Sequence, residues 1–163
     1  MEGSPRDIVR VPNAAEDAFT WRYEEINHWL EKFGLPEIDL SKSKVLDVGS
    51  GDGTMVSDLR SHGIDAFGVE IRSRGENKAG IVEARIERLP FIENSFDVII
   101  AAGVFHQGLY NQNQEEMLSE IFRVLKPNGV FLKLSSGDLG KKPDELVLVS
   151  GTEKKFSAYV KKL

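Results

Sequence analysis

Three glycines at alternate positions, Gly49, Gly51 and Gly53, follow directly on the apolar run Val45-Leu46-Asp47-Val48. A short apolar run of that kind predicts a buried strand, and residues 54–59 resume an apolar spacing that fits a helix. Strand, glycine turn and helix together make a cradle for a ligand. Glycine lets the backbone turn tightly and lets a ligand approach closely. The first turn of the helix offers free N–H groups to a polar or anionic group. The spacing narrows the ligand further. A dinucleotide site calls for G-x-G-x-x-G after its first strand, whereas here Thr54 stands at the third glycine. A phosphate-binding loop ends in Gly-Lys-Ser/Thr, which this run lacks.

The elements that must hold this turn are legible from the apolar periodicity. Residues 1–13 carry Pro5 and Pro12 and no period, and read as a loose arm. Residues 14–33 are expected to form a helix, with Ile26, Trp29, Leu30 and Phe33 on one face, closed by Gly34 and Pro36. Strands are expected at 45–48, 66–70, 80–84, 96–101 and 130–134. Helices are expected at 54–62 and 112–125, the second stopped by Lys126-Pro127-Asn128-Gly129. Residues 146–149 and 156–160 read as a closing hairpin around Gly151. Strands alternating with helices give a parallel sheet covered on both faces. The connection over 71–79 is shorter than the dozen or so residues of a full crossover, so its helix is expected to be one turn or degenerate. The link from 134 to 146 is likewise too short and polar for a helix.

With 163 residues and 40% hydrophobic content, the chain fits one domain with a real core. It contains no cysteine. That excludes disulfides, thiolate metal sites, iron–sulfur clusters and a cysteine nucleophile. There is no signal-peptide layout and no apolar run of membrane-spanning length, so a cytoplasmic protein is expected. A net charge of −5 argues against global attraction to nucleic acid and leaves only a local basic patch for it.

Four segments in chain order resemble the Rossmann-like S-adenosylmethionine-dependent methyltransferases, in their compact, UbiE-like, small-molecule form. Val45-Leu46-Asp47-Val48-Gly49-Ser50-Gly51-Asp52-Gly53 is close to that family's VLDxGxGxG. Glu70 ends the second strand in Phe67-Gly68-Val69-Glu70. Leu89-Pro90-Phe91-Ile92-Glu93-Asn94-Ser95-Phe96-Asp97 leads into the fourth strand. Phe122-Arg123-Val124-Leu125-Lys126-Pro127-Asn128-Gly129 precedes the fifth. The resemblance spans about residues 23–134 and implies a mostly parallel seven-stranded sheet with a C-terminal antiparallel hairpin. It also implies helices on both faces, some crossover helices being shortened.

The resemblance assigns roles residue by residue. Asp47 orients the loop and reaches the ammonium of the cofactor's methionine moiety, or else only braces the turn. Gly49, Ser50, Gly51 and Gly53 let that moiety lie against the backbone. Glu70 accepts from the ribose hydroxyls, as the acid after strand two does in dinucleotide folds. Where the family often has an acid for the adenine amino group, this chain has Arg85, a donor-only side chain. Arg85 stacking on the ring, Glu87 as substitute acceptor and the backbone at Ile86 are the alternatives. Ala102 and His106 lie in the loop expected beneath the reactive methyl. His106 is either a general base or a pocket-shaping residue bound to nearby backbone. Tyr23, with Trp21, either covers the cofactor or belongs to the capping helix. No metal ligand set is expected.

The activity implied is methyl transfer to a small-molecule acceptor. No Asn/Asp-Pro-Pro-Tyr/Phe tetrad follows strand four, no acid ends it, and no paired-glutamate loop is present. Those absences demote base-amino, magnesium-dependent catechol-type and protein-arginine methylation. A macromolecular acceptor and a non-catalytic binding module remain as alternatives, and a second copy of the chain is a candidate to complete an open cleft.

Overall fold

Seven strands form one sheet in the order β3-β2-β1-β4-β5-β7-β6 in a computed structural model that describes residues 21–72, 78–105, 113–152 and 154–163. The strands are β1 (Lys44–Val48), β2 (Asp65–Glu70), β3 (Ile81–Glu83), β4 (Phe96–Ala102), β5 (Leu125–Leu134), β6 (Leu146–Gly151) and β7 (Ser157–Lys161). The first five run parallel, and β7 and β6 add an antiparallel edge. The order reverses between β1 and β4, which both start from the middle of the sheet. In open α/β sheets the crevice at such a reversal, beyond the strands' C-terminal ends, is where ligands bind.

Each face of the sheet is covered as the periodicity requires. Helices α1 (Tyr23–Lys32) and α2 (Thr54–Ser61) lay Ile26, Leu30, Val56 and Leu59 against Val45, Ile100 and Leu132 on one side. On the other, α3 (Gln114–Val124) packs Met117, Leu118, Ile121 and Val124 on Leu46, Ile99 and Phe131. No helix of the described residues is long and apolar enough to cross a membrane.

Three boundaries differ from the sequence expectation. The first helix begins at Tyr23, not at 14. Arg22 is extended, and its N–H donates to the Glu25 carboxylate at 3.1 Å, a reach-back that fixes the helix start. Residues 14–20 lie outside those described. The last α-helix spans Gln114–Val124 rather than 112–125, and the fifth strand begins at Leu125 rather than Val130. Leu125 pairs with Phe96 and Val130 with Val98, so Lys126 to Gly129 bulge out of the ladder. The bulge is held by Lys126 Nζ, 3.0 Å from both Asp97 carboxylate oxygens, and by Asn128 in the left-handed region at φ 62°. Asp97 also accepts from the Lys44 N–H at 2.8 Å, so one carboxylate joins the starts of β1 and β4 to the bulge.

Lys161 on β7 is buried although it carries a charge. Its Nζ donates to Asn94 Oδ1 at 2.9 Å, Phe122 O at 2.9 Å and Leu125 O at 2.8 Å. Burial pulls its ammonium below the ordinary range, and Glu93 opposes this. The hairpin is thereby pinned to the end of α3 and to the turn before β4. In Lys161→Met those three acceptors lose their donor, which should cost about 2 kcal/mol. Urea denaturation checks this, and an unchanged midpoint would contradict the role.

Candidate active site

The glycine turn lies flat on the end of β2. Gly49, Gly51 and Gly53 all adopt left-handed backbone, at φ 73°, 57° and 77°, which any Cβ would strain. The N–H groups of Gly49 and Ser50 both donate to Val69 O, at 2.8 and 2.9 Å. The Gly51 N–H donates to Glu70 Oε2 at 2.8 Å, and Glu70 Oε1 accepts from the Ile71 N–H at 2.9 Å. Glu70 therefore braces the turn from below and keeps lone pairs on both oxygens for further donors. Such close approach needs Gly68 in mid-strand, because a Cβ there would stand 2.7 Å from Ser50 Cβ. Gly49 is held as tightly on its other side, where a Cβ would stand 2.7 Å from Val104 Cγ2.

Within the turn, Asp52 bonds the first residue of α2. Its Oδ1 accepts from Thr54 Oγ1 at 2.7 Å and from the Thr54 N–H at 2.9 Å. Those two bonds hold its carboxyl below the ordinary range, so it stays charged. Asp47 is in the opposite situation. It is 3% exposed at the end of β1. Burial first, then the charges of Glu70 and Asp52, push its carboxyl well above the ordinary range. Ser50 Oγ is also buried, with no hydrogen-bond partner. Beside Gly51 there is open space. The turn thus presents an uncompensated carboxyl and an unused hydroxyl next to room for a ligand.

The segment after β3 is tied to the same corner. Ala84 N–H donates to Glu70 O at 3.0 Å, and Ile86 is buried in the cluster that contains Val69 and Val104. Arg85 is exposed and reaches Glu87 Oε1 at 3.4 Å, while the Asn113 amide donates to that oxygen at 3.1 Å. Burial alone would raise the Glu87 carboxyl. Its own backbone N–H, Asn113 and Arg85 together bring it below the ordinary range. Glu87 is thus already engaged by Arg85 and Asn113. Ala102 is half-buried at the end of β4, where Gly103 N–H donates to Leu134 O at 3.2 Å.

Tyr23 is not brought to this corner. It stacks on His62 with ring centroids 4.4 Å apart, and its N–H donates to Asp58 Oδ2 at 2.8 Å. Asp58 lies midway along α2 and His62 caps its C-terminal end, about 12 Å of helix away from the glycine turn at its other end. Of the readings open from sequence, capping-helix packing is the one its contacts fit. Trp21 packs on Phe156 at 5.7 Å. His106 lies outside the described residues.

Three site-shaping features escaped the sequence reading. Gly68 was read only as part of a strand, although a glycine inside a strand signals close backbone approach. Val104 walls Gly49. Arg123 and Glu120 of α3 clamp the Leu-Pro-Phe segment: Glu120 Oε2 accepts from Leu89 N–H at 2.8 Å, and Arg123 donates to Phe91 O at 2.8 Å and Leu89 O at 3.0 Å. Arg123 stood in a recognised motif, but the Phe91 and Leu89 carbonyls it clamps lie more than thirty residues away.

A family profile described as a methyltransferase domain matches residues 46–132, more than half of the chain. The chain belongs to that family. A protein from Encephalitozoon cuniculi named as a methyltransferase is 28% identical over 142 residues, covering 80% of this chain and 68% of the relative. The ubiquinone/menaquinone biosynthesis C-methyltransferase UbiE of Bartonella quintana is 37% identical over 112 residues, which cover 58% of this chain but only 42% of that protein. The 1,6-didemethyltoxoflavin-N1-methyltransferase of Burkholderia thailandensis, solved with bound 1,6-didemethyltoxoflavin and S-adenosylhomocysteine, shares the fold. Its TM-score is 0.53 at 16% identity, over 74% of this chain and 72% of that one. The family is one of S-adenosylmethionine-dependent, Rossmann-like methyltransferases, and the expected sheet with its antiparallel C-terminal edge is what the chain forms.

The cofactor of the family, S-adenosylmethionine, fits the chemistry of the turn. Its methionine end carries an ammonium, the counter-charge that Asp47 lacks among the described residues, and its sulfonium reactivity needs no metal. No cluster of metal-binding side chains exists among the described residues.

Two expectations follow. Asp47 has a raised carboxyl in the folded protein, so the native state holds its proton more tightly than the unfolded chain. Stability should therefore fall as pH rises from about 4 through the raised value. Asp47→Asn should raise the melting temperature at pH 8 and leave it unchanged at pH 4, and thermal melts across that range check the sign. Gly49→Ala combines a left-handed φ with the Val104 contact and should weaken S-adenosylhomocysteine binding more than about tenfold. Calorimetric titration that found wild-type affinity would refute the packing account.

Proposed function

We propose that the chain transfers a methyl group from S-adenosylmethionine to a nucleophile on a small-molecule acceptor, as one cytoplasmic domain. The observation that carries the cofactor assignment is the buried Asp47 carboxyl beside the glycine turn, raised by burial and by Glu70 and Asp52 with nothing to lower it. An ammonium placed there would draw the Asp47 proton off and pair with the carboxylate. Gly49, Ser50 and Gly51 supply a flat backbone against which the methionine chain lies. Glu70, braced on Gly51, offers its remaining lone pairs to the ribose hydroxyls. Ile86 presents backbone to the adenine edge, with the exposed Arg85, paired to Glu87, beside it to cover the ring.

When bound, the cofactor supplies an electrophilic methyl on a good leaving group. Much of the rate can come from alignment of the acceptor with that methyl. His106 is the candidate base for acceptors that must lose a proton as they attack. The small-molecule reading draws support from relatives such as UbiE and from the absence of a global positive charge. A second copy of the chain, walling the acceptor side, accords with the shortness of the segment between β2 and β3.

Calorimetric titration with S-adenosylmethionine and S-adenosylhomocysteine tests this first. Binding of both is expected, Glu70→Ala should weaken it at least about tenfold, and His106→Ala should leave it intact. Binding by neither ligand would sink the enzyme reading. Turnover against metabolites, RNA and proteins then separates a small-molecule enzyme from a macromolecular one or a silent module.

A further inference from the structure

A second concavity lies away from the glycine turn. It has a volume of about 450 Å³ and is bounded by the C-terminal half of α1 and by Ser150 to Thr152, Lys155 and Phe156 between β6 and β7. Three rings make its apolar wall. Trp29 packs on Phe33 at 5.2 Å and edge-on to Phe156 at 4.9 Å between ring centroids. The size falls within the range of small-molecule sites, which typically pair apolar walls with a few polar groups. Here the polar groups are cationic. Lys32 and Lys155 both line the cavity, and no carboxylate does so among its described lining residues. Neither lysine forms an ion pair among the described residues. Lys32 Nζ instead stands 4.9 Å over the Trp29 ring.

The cavity sits at the functional end of the sheet. Ser136 follows the C-terminal end of β5, and Gly151 pairs with Ser157, which in turn pairs with Lys133 of β5. This is the end at which β1 delivers the glycine turn and β2 delivers Glu70. A chain with net charge −5 has placed two cations without an ion-pair partner among the described residues on one aromatic wall there. We propose that this cavity binds a small anion with a flat aromatic body, the rings packing on Phe156 and the exposed rim of Trp29 and the anionic group meeting Lys32 and Lys155. Carboxylates, sulfonates and phosphates share the needed chemistry. The binding site is defined by this wall and these lysines alone, and does not depend on methyl transfer.

The test uses the full chain and two probes of nearly equal shape, 2-naphthoate and its neutral amide. Calorimetry should give one site, with the carboxylate bound about tenfold tighter, the size expected of two partly exposed cations. Rising salt should erode that preference. Amide resonances of Gly151 and Thr152 should move on titration. In the double variant Lys32→Gln, Lys155→Gln both changes are at exposed positions, so the melting temperature should hold while the preference disappears. Absence of binding, equal affinity for the two probes (a bare apolar surface), or a preference that survives the double variant would each overturn the proposal. Repeating the titration with saturating S-adenosylhomocysteine keeps the two readings separable. If the nucleoside binds and naphthoate does not, only this site falls. If naphthoate binds and the nucleoside does not, only the cofactor assignment falls.

Discussion

The site depends on how closely the glycine turn lies on the end of β2. Two N–H groups converge on Val69 O and a third on the Glu70 carboxylate. That contact is possible only because Gly68 lacks a Cβ under Ser50 and Gly49 lacks one against Val104. With the turn held there, Asp47 at the end of β1 is buried. Its raised carboxyl follows from that burial and from the two acids that the same turn brings near. Brace, cradle and unpaired charge are consequences of one packing constraint.

A buried carboxyl with no cationic partner among the described residues weakens the fold at neutral pH. The rest of the fold offsets this with charged groups fully engaged. Asp97 ties the start of β1 to Lys126, Arg123 and Glu120 clamp the segment before β4, and Lys161 fills three acceptors at the hairpin. In each of those cases the charged group meets its partners inside the protein. Asp47 differs, and the difference singles it out.

Much of this was legible in the sequence because it is local. The glycine turn, the strand before it, the amphipathic face of α3 and the acid ending β2 are all written in neighbouring residues or in a simple period. What was not legible depends on distant pairs. Tyr23 looked available to a cofactor, yet Asp58 and His62, thirty-five and more residues on, hold it at the far end of α2. The Lys-Pro-Asn-Gly run read as a helix stop before a strand at Val130. Its lysine instead reaches Asp97, so the strand starts at Leu125 and carries the run as a bulge. The adenine end shows the same limit. Arg85 marked a departure from the family pattern, but only the Asn113 and Arg85 contacts show Glu87 already engaged.

The protonation of Asp47 is the most direct probe of the site. Carboxyl carbon-13 NMR with pH titration follows that one group in the free protein and with S-adenosylhomocysteine, whose ammonium is the proposed partner. A titration well above the ordinary carboxylate range in the free protein, falling below it once the ligand is bound, is the predicted result. An Asp47 that titrates identically with and without bound ligand would contradict its role as the ammonium's partner.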